Sequence, residues 1–318
     1  MTIFVSVASY CDRLLEQTIR DMLAKASRPS ELRFGIVEQN FAERRLKFDD
    51  IKSQVRYVGI DVRDTRGACW ARSLAMSLYS GEAWFMQIDS HMVFDQGWDD
   101  TLLIAAARCS QMSPKFVISN YPHPFKMVDD VPVPERSTDG ILYGYVSDDF
   151  EFKEDNIIVP ITAASITSDT PVKGFHIAAG FIFTHGRFVY EVPYDPHLYF
   201  EGEEQTLSVR AWTHGWDIYH TTDVPIYHLY STGDVATSHR EVHWSPNSDK
   251  ERSQRWWELD NKSKARMTAL LQHNADLGIY GLGNARTLAE FANFSGIDYR
   301  SKTIAPYARK KEIHNAKT

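Results

Sequence analysis

Along the first 120 residues the apolar positions switch between two periods. Ile3–Ala8 is an apolar, β-branched run, after which Leu15, Ile19, Met22, Leu23 and Ala26 recur at helical spacing behind Asp12, a residue type suited to capping a helix start. The alternation repeats. Leu32–Val37 reads as a strand, Val55–Ile60 as a strand before a helix over Ala68–Tyr79, Ala83–Ile88 as a strand before a helix near Trp98–Gln111, and Phe116–Tyr121 as a strand. Strands joined by helical crossovers predict a parallel α/β sheet with ligands gathered at the carboxyl ends of its strands.

From Pro122 the pattern breaks. Pro122, Pro124, Pro132 and Pro134 precede the acidic stretch Ser147–Asp155. Residues 122–155 therefore read as a loop excursion, a surface insertion first and a loop over the site second. Between Ile157 and Tyr230 short β-like segments surround a helix from near Glu203 to about His214. Past Ser231 the chain becomes charged and helical. Two units are expected: a main domain over residues 1–230 and a C-terminal helical appendage over 231–318.

Composition narrows the classes. With 318 residues, 43% of them apolar and 24% charged, the chain can bury a sizeable core and is unlike a disordered or fibrous protein. A net charge of −7 gives no global footprint for nucleic acid or an anionic membrane, so a polyanionic ligand must be met by a local site. Cys11, Cys69 and Cys109 are odd in number and form no CxxC pair, which supports neither a disulfide framework nor a zinc ribbon and points to a reducing compartment. The N-terminal MTIFVSVASYCDR lacks a basic leader, and Leu102–Ala107 falls far short of the ~20 apolar residues that span a bilayer. A cytoplasmic protein with no membrane span and no nucleic-acid partner is expected.

The strongest chemical feature is FMQIDSH. In an extended segment residues i and i+2 point to the same side, so Asp89 and His91 can hold one cation together. A helix-capping Asp and a core His are the plainer alternatives. Such a cation, Mn²⁺ or Mg²⁺, commonly completes its shell with phosphate oxygens. Arg72, at a helix start after Arg63–Gly67, can clamp a phosphate or a sugar hydroxyl bidentately, or sit in a surface ion pair. Tyr10 serves either packing or a flat ligand. Glu201, Glu203 and Glu204 surround Gly202 at a helix start, where carboxylates are favoured by the dipole. Asp195, Asp129–Asp130 and Asp148–Asp149 read as turn and surface residues.

The segment FMQIDSHMVFDQGWDDTLL resembles the metal-binding segment of the mucin-type polypeptide N-acetylgalactosaminyltransferases. The stretch from Ala178 to Tyr230 is similar to their acceptor-side segment in Gly180-Phe181, Tyr194-Asp195-Pro196, Gly202-Glu203, Arg210, Trp212 and Gly215. The whole chain, including RWWELD and YGLG, looks like the glycosyltransferase family 60 group of cytosolic polypeptide N-acetylglucosaminyltransferases. The resemblance implies a Rossmann-like GT-A fold, a UDP-sugar donor, Mn²⁺ or Mg²⁺, and retention of anomeric configuration. It places His228 as the third metal ligand beside Asp89 and His91, with His220, eight residues earlier, as the rival. It implies a nucleotide and donor site at Ala8, Ser9, Tyr10, Gln39, Gly67, Arg72 and Ser90, and aligns Glu203 with the family's sugar-contacting acid. Trp70 stands where the mucin-type family has a basic residue. The expected activity is transfer of N-acetylglucosamine from UDP-GlcNAc to a hydroxyl acceptor on a polypeptide, with Asp89 and Glu203 as the catalytic residues. The alternatives are a metal-dependent hydrolase of a phosphoester or nucleotide sugar, and a carbohydrate-binding module without turnover.

Overall fold

The computed structural model describes residues 1–136, 140–154, 156–230, 241–245, 249–250, 252 and 254–309. Asp155 and Ser231, the expected end of the excursion and start of the tail, lie outside the described residues, as does Ser253 beside the RWWELD stretch.

β1 (Ile3–Tyr10), β2 (Leu32–Gln39), β3 (Val55–Ile60) and β4 (Trp84–Ile88) run parallel, with α1 (Leu15–Lys25) after β1 and α2 (Ala68–Ser77) after β3. β5 (Met92–Phe94), α3 (Trp98–Met112) and β6 (Phe116–Ile118) follow. Next come β7 (His123–Val128), β8 (Val131–Pro134), β9 (Ile141–Val146), β10 (Ile161–Ile166) and β11 (Val172–Gly174). The domain closes with β12 (Phe181–His185), α4 (Phe188–Glu191), α5 (Glu203–Thr213), β13 (Asp217–His220) and β14 (Ile226–His228).

Eight of these strands form one sheet in the order β11–β13–β6–β12–β4–β1–β2–β3. Both faces are covered, which explains the near-continuous apolar runs. On β1, Phe4 joins Met76, Phe85, Phe188 and Trp216 in the core on one side. Ile3, Val5 and Val7 join Ile19, Met22, Trp98 and Phe181 on the other. Each such buried side chain contributes about 1.5–3 kcal/mol. The sheet is not wholly parallel: β12 runs antiparallel between β4 and β6, and β11 antiparallel to β13. Phe181 pairs with Ile88, the last residue of β4, so the chain enters β12 from the carboxyl ends of its neighbours.

The proline-rich stretch holds strands where a loop excursion was expected. β7 pairs with β14 and β8 with β7, completing a second sheet ordered β5–β14–β7–β8. Pro132 and Pro134 sit on its outermost strand, where a missing N–H costs no ladder bond. β9 pairs with β10 in a separate two-stranded sheet. Downstream, the helix Trp256–Leu271 packs back on the main domain, with Met267 against Gly202 and the Ser263 hydroxyl accepting from the Tyr199 amide at 3.1 Å.

Candidate active site

β4 carries Asp89 out of the sheet, where its amide donates to the Gly180 carbonyl at 3.3 Å. The chain then returns as β5, which pairs antiparallel with β14 and sets Met92 opposite His228. That pairing brings residues far apart in sequence together. The His91 and His228 rings lie 4.7 Å apart, and His228 Nε2 is 3.2 Å from Asp89 Oδ2. One ligand atom from each of Asp89, His91 and His228 falls within 4.8 Å of the others.

Asp12 orients this group. Its Oδ2 meets His91 Nδ1 at 2.7 Å and accepts from the Ser90 hydroxyl at 2.7 Å, while Oδ1 accepts from the Leu14 amide at 2.9 Å. Burial would raise the Asp12 carboxyl, but the His91 and Ser90 hydrogen bonds outweigh it and hold the group below the usual carboxylate range. An anionic Asp12 keeps the His91 proton on Nδ1 and turns the Nε2 lone pair toward the cleft. That nitrogen is buried and has no hydrogen-bond partner. The expected helix cap is thus replaced: α1 begins behind Leu14 without a side-chain cap, and Asp12 serves His91. The 79-residue separation hides this pairing from any local pattern.

Arg72 is buried, not on a helix surface. Its Nη2 donates to Asp89 Oδ1 at 2.6 Å and its Nη1 to Glu203 Oε1. Burial would raise Asp89, yet Arg72, His228 and His91 bring it well below the usual range. Burial pushes Glu203 up, opposed by Arg72 and by the Cys69 thiol. Glu203 opens α5 behind Gly202, which takes φ +82° and where a Cβ would strike Met267 at 2.0 Å. Its neighbour Glu204 accepts from the Ala179 amide at 2.8 Å and lies 3.3 Å from His176 Nε2, which also meets the Tyr121 hydroxyl at 3.0 Å. In the sequence His176 is only one of several histidines that compete with His228, along with His185, His197 and His214, and Tyr121 carries no signal.

These residues line one cleft of about 460 Å³ at the carboxyl edge of the sheet. Ala8, Ser9, Tyr10, Gln39, Arg72, Asp89, Ser90, His91, Glu203 and His228 all face it, joined by Pro160 and Ile161 at β10 and by Glu241–Trp244 of the tail. The tail therefore contributes to the cleft wall: Arg252 donates to the Tyr10 hydroxyl, and His243 lies edge-on to the Tyr10 ring. Gln39 donates to the Ser9 carbonyl at 3.2 Å and accepts from Thr65, which leaves one amide N–H. Gly67 does not line the cleft. It takes φ +97° before α2, where a Cβ would come within 2.5 Å of Tyr199.

His220 stands apart from the three-residue cluster. It lies on β13 with Nδ1 against the Ser119 carbonyl and its ring edge-on to Tyr143, and burial pushes its pKa down to about 4. Asp195 occupies a turn, as its bond to the His197 amide at 3.0 Å shows, but it is buried and pairs with Arg266 at 2.7 Å.

Residues 2–47 and 45–301 match the family model described as Glycosyltransferase (GlcNAc). The chain belongs to this glycosyltransferase family. No curated protein matches the chain in sequence. Among solved structures, GalNAc-T7 with UDP, GalNAc and Mn²⁺ is 14% identical with a TM-score of 0.59, over 92% of this chain and 54% of that one. TarS 1–349 of S. aureus is 14% identical with a TM-score of 0.43, over 69% of this chain and 60% of that one. The chain thus spans little more than half the length of these structures. The fold is GT-A, as expected from the sequence.

Proposed function

We propose that this glycosyltransferase moves N-acetylglucosamine from UDP-GlcNAc to a hydroxyl on a polypeptide, with retention of configuration and with Mn²⁺ or Mg²⁺. The observation that carries the reading is His91 Nε2, buried and unpartnered, on a ring that Asp12 orients beside Asp89 and His228. A buried nitrogen without a partner costs about 1–3 kcal/mol, a deficit that a bound cation removes. Two imidazoles and a carboxylate suit such an ion and leave positions open for a diphosphate. A divalent cation held by Asp89, His91 and His228 supplies charge neutralisation for the departing UDP.

The protein's own groups divide the remaining work. Ala8, Ser9 and Tyr10 at the end of β1 form the wall for base and ribose, and the spare amide N–H of Gln39 faces the uracil edge. Arg72 and Glu203 take donor-sugar hydroxyls between them. The acceptor enters past Glu204, Tyr230 and Trp244, and its hydroxyl meets the sugar on the face of the leaving phosphate, so positioning supplies much of the rate. Three free thiols, at Cys11, Cys69 and Cys109, support a cytoplasmic setting.

Donor hydrolysis across a panel of UDP-sugars needs no acceptor and tests the reading. UDP-GlcNAc is expected to be cleaved fastest, and chelation of divalent metal to stop the reaction. Intact UDP-sugars alongside turnover of a simple phosphoester would replace the transferase reading with the hydrolase one.

A further inference from the structure

Cys69 lies behind the cleft wall, against Glu203, although no sequence pattern marks it. Cys69 and Arg72 are three residues apart on α2 and so share a face of that helix, and both reach the first turn of α5. There they divide the Glu203 carboxylate. Arg72 Nη1 donates to Oε1, and the Cys69 thiol donates to Oε2 across 2.9 Å. The three residues are buried, with Cys69 at 0%, Arg72 at 7% and Glu203 at 4% exposure, the last two at the cleft wall. Burial, reinforced by Glu203, pushes the Cys69 thiol well above its ordinary value, so the S–H remains a donor.

The consequence concerns Arg72. A guanidinium beside a carboxylate prefers the two-pronged arrangement, with one N–H on each oxygen. Here the arrangement is split, with Nη1 on Glu203 and Nη2 on Asp89 at 2.6 Å. We propose that Cys69 is a positioning residue: by occupying Glu203 Oε2 it prevents Glu203 from chelating Arg72, and so keeps Nη2 on Asp89 and both acids in register for the donor sugar. This rests on the transferase reading above. The uridine end of the cleft, at Ala8–Tyr10, does not depend on it.

The test compares Cys69→Val, which fills the space without donating, with Cys69→Ser, which donates. Cys69→Val is expected to lower kcat for UDP-GlcNAc hydrolysis by about 10–100-fold, the size of a lost hydrogen bond to a buried charge, with KM changed less than about 2-fold. Cys69→Ser is expected to recover most of that loss. In the native enzyme the infrared S–H band of Cys69 should lie below that of Cys109, which is also buried, and Cys69→Ser should remove it. Native kcat in Cys69→Val, equal impairment of the Val and Ser variants, or an unshifted S–H band would each overturn the proposal. Should Cys69→Val fail to fold, the infrared band of the native protein decides. A native enzyme inert toward every UDP-sugar would instead sink the transferase reading, while the infrared measurement would still report on the thiol.

Discussion

Asp89→Asn is expected to weaken metal-dependent UDP binding by more than about 100-fold while the protein stays folded. The change keeps the shape and removes the charge on which Arg72 at 2.6 Å and His228 at 3.2 Å converge. An amide in that place either turns its NH₂ against the Arg72 guanidinium, donor against donor, or meets Arg72 with a neutral oxygen, and it offers a cation only a neutral oxygen. The loss is therefore double: a ligand goes, and Arg72 is left with half its compensation in a buried position. Calorimetric titration of UDP with Mn²⁺ reads it. A variant that titrates like the native protein would make Asp89 a structural partner of Arg72 and nothing more.

Glu203→Gln is expected to cost about 10²–10³-fold in kcat, the range for a lost electrostatic contact in a transition state, with a much smaller change in KM. Both Glu203 oxygens receive donors, from Arg72 and from Cys69, so a glutamine must present its NH₂ to one of those donors. On the proposed mechanism this engagement leaves Glu203 to orient the sugar, not to attack it. Mass spectrometry of the enzyme stopped during turnover should find no glycosyl ester on Glu203. A trapped ester would turn the mechanism into a two-step displacement, and full activity in the Gln variant would remove Glu203 from the reaction.

What was legible in the sequence followed from how each residue is constrained. β1, β2 and β4 are buried on both faces, so their apolar runs stand out, and the helices between them carry an apolar stripe that faces the sheet. Direction is not written in such runs. β12 is buried like its neighbours β4 and β6 and reverses only because the chain reaches it from the cleft edge. Pro132 and Pro134 of β8 read as loop because edge-strand placement is a property of the whole sheet, not of the segment. In the site, Asp89 and His91 were legible as two ligand types at a strand end, although the structure seats them at the bend between β4 and β5 and not on one extended segment. His220 and His228 were not separable by pattern, since both sit in short apolar strands. The β5–β14 pairing distinguishes them, and it joins segments more than 130 residues apart. Asp12 and Cys69 belong to the same class: each meets a partner distant in sequence, and the local pattern offered only a helix cap for Asp12 and no site role for Cys69.

The central claim is that Asp89, His91 and His228 hold the cation through which UDP binds, and that His220 is a neutral core residue. Calorimetric titration of UDP, with Mn²⁺ and after chelation, into His228→Ala and His220→Gln tests it most directly. The account predicts metal-dependent UDP binding that is lost in His228→Ala and native-like in His220→Gln. Native-like binding in His228→Ala together with loss in His220→Gln, or UDP binding that is indifferent to metal, would contradict it.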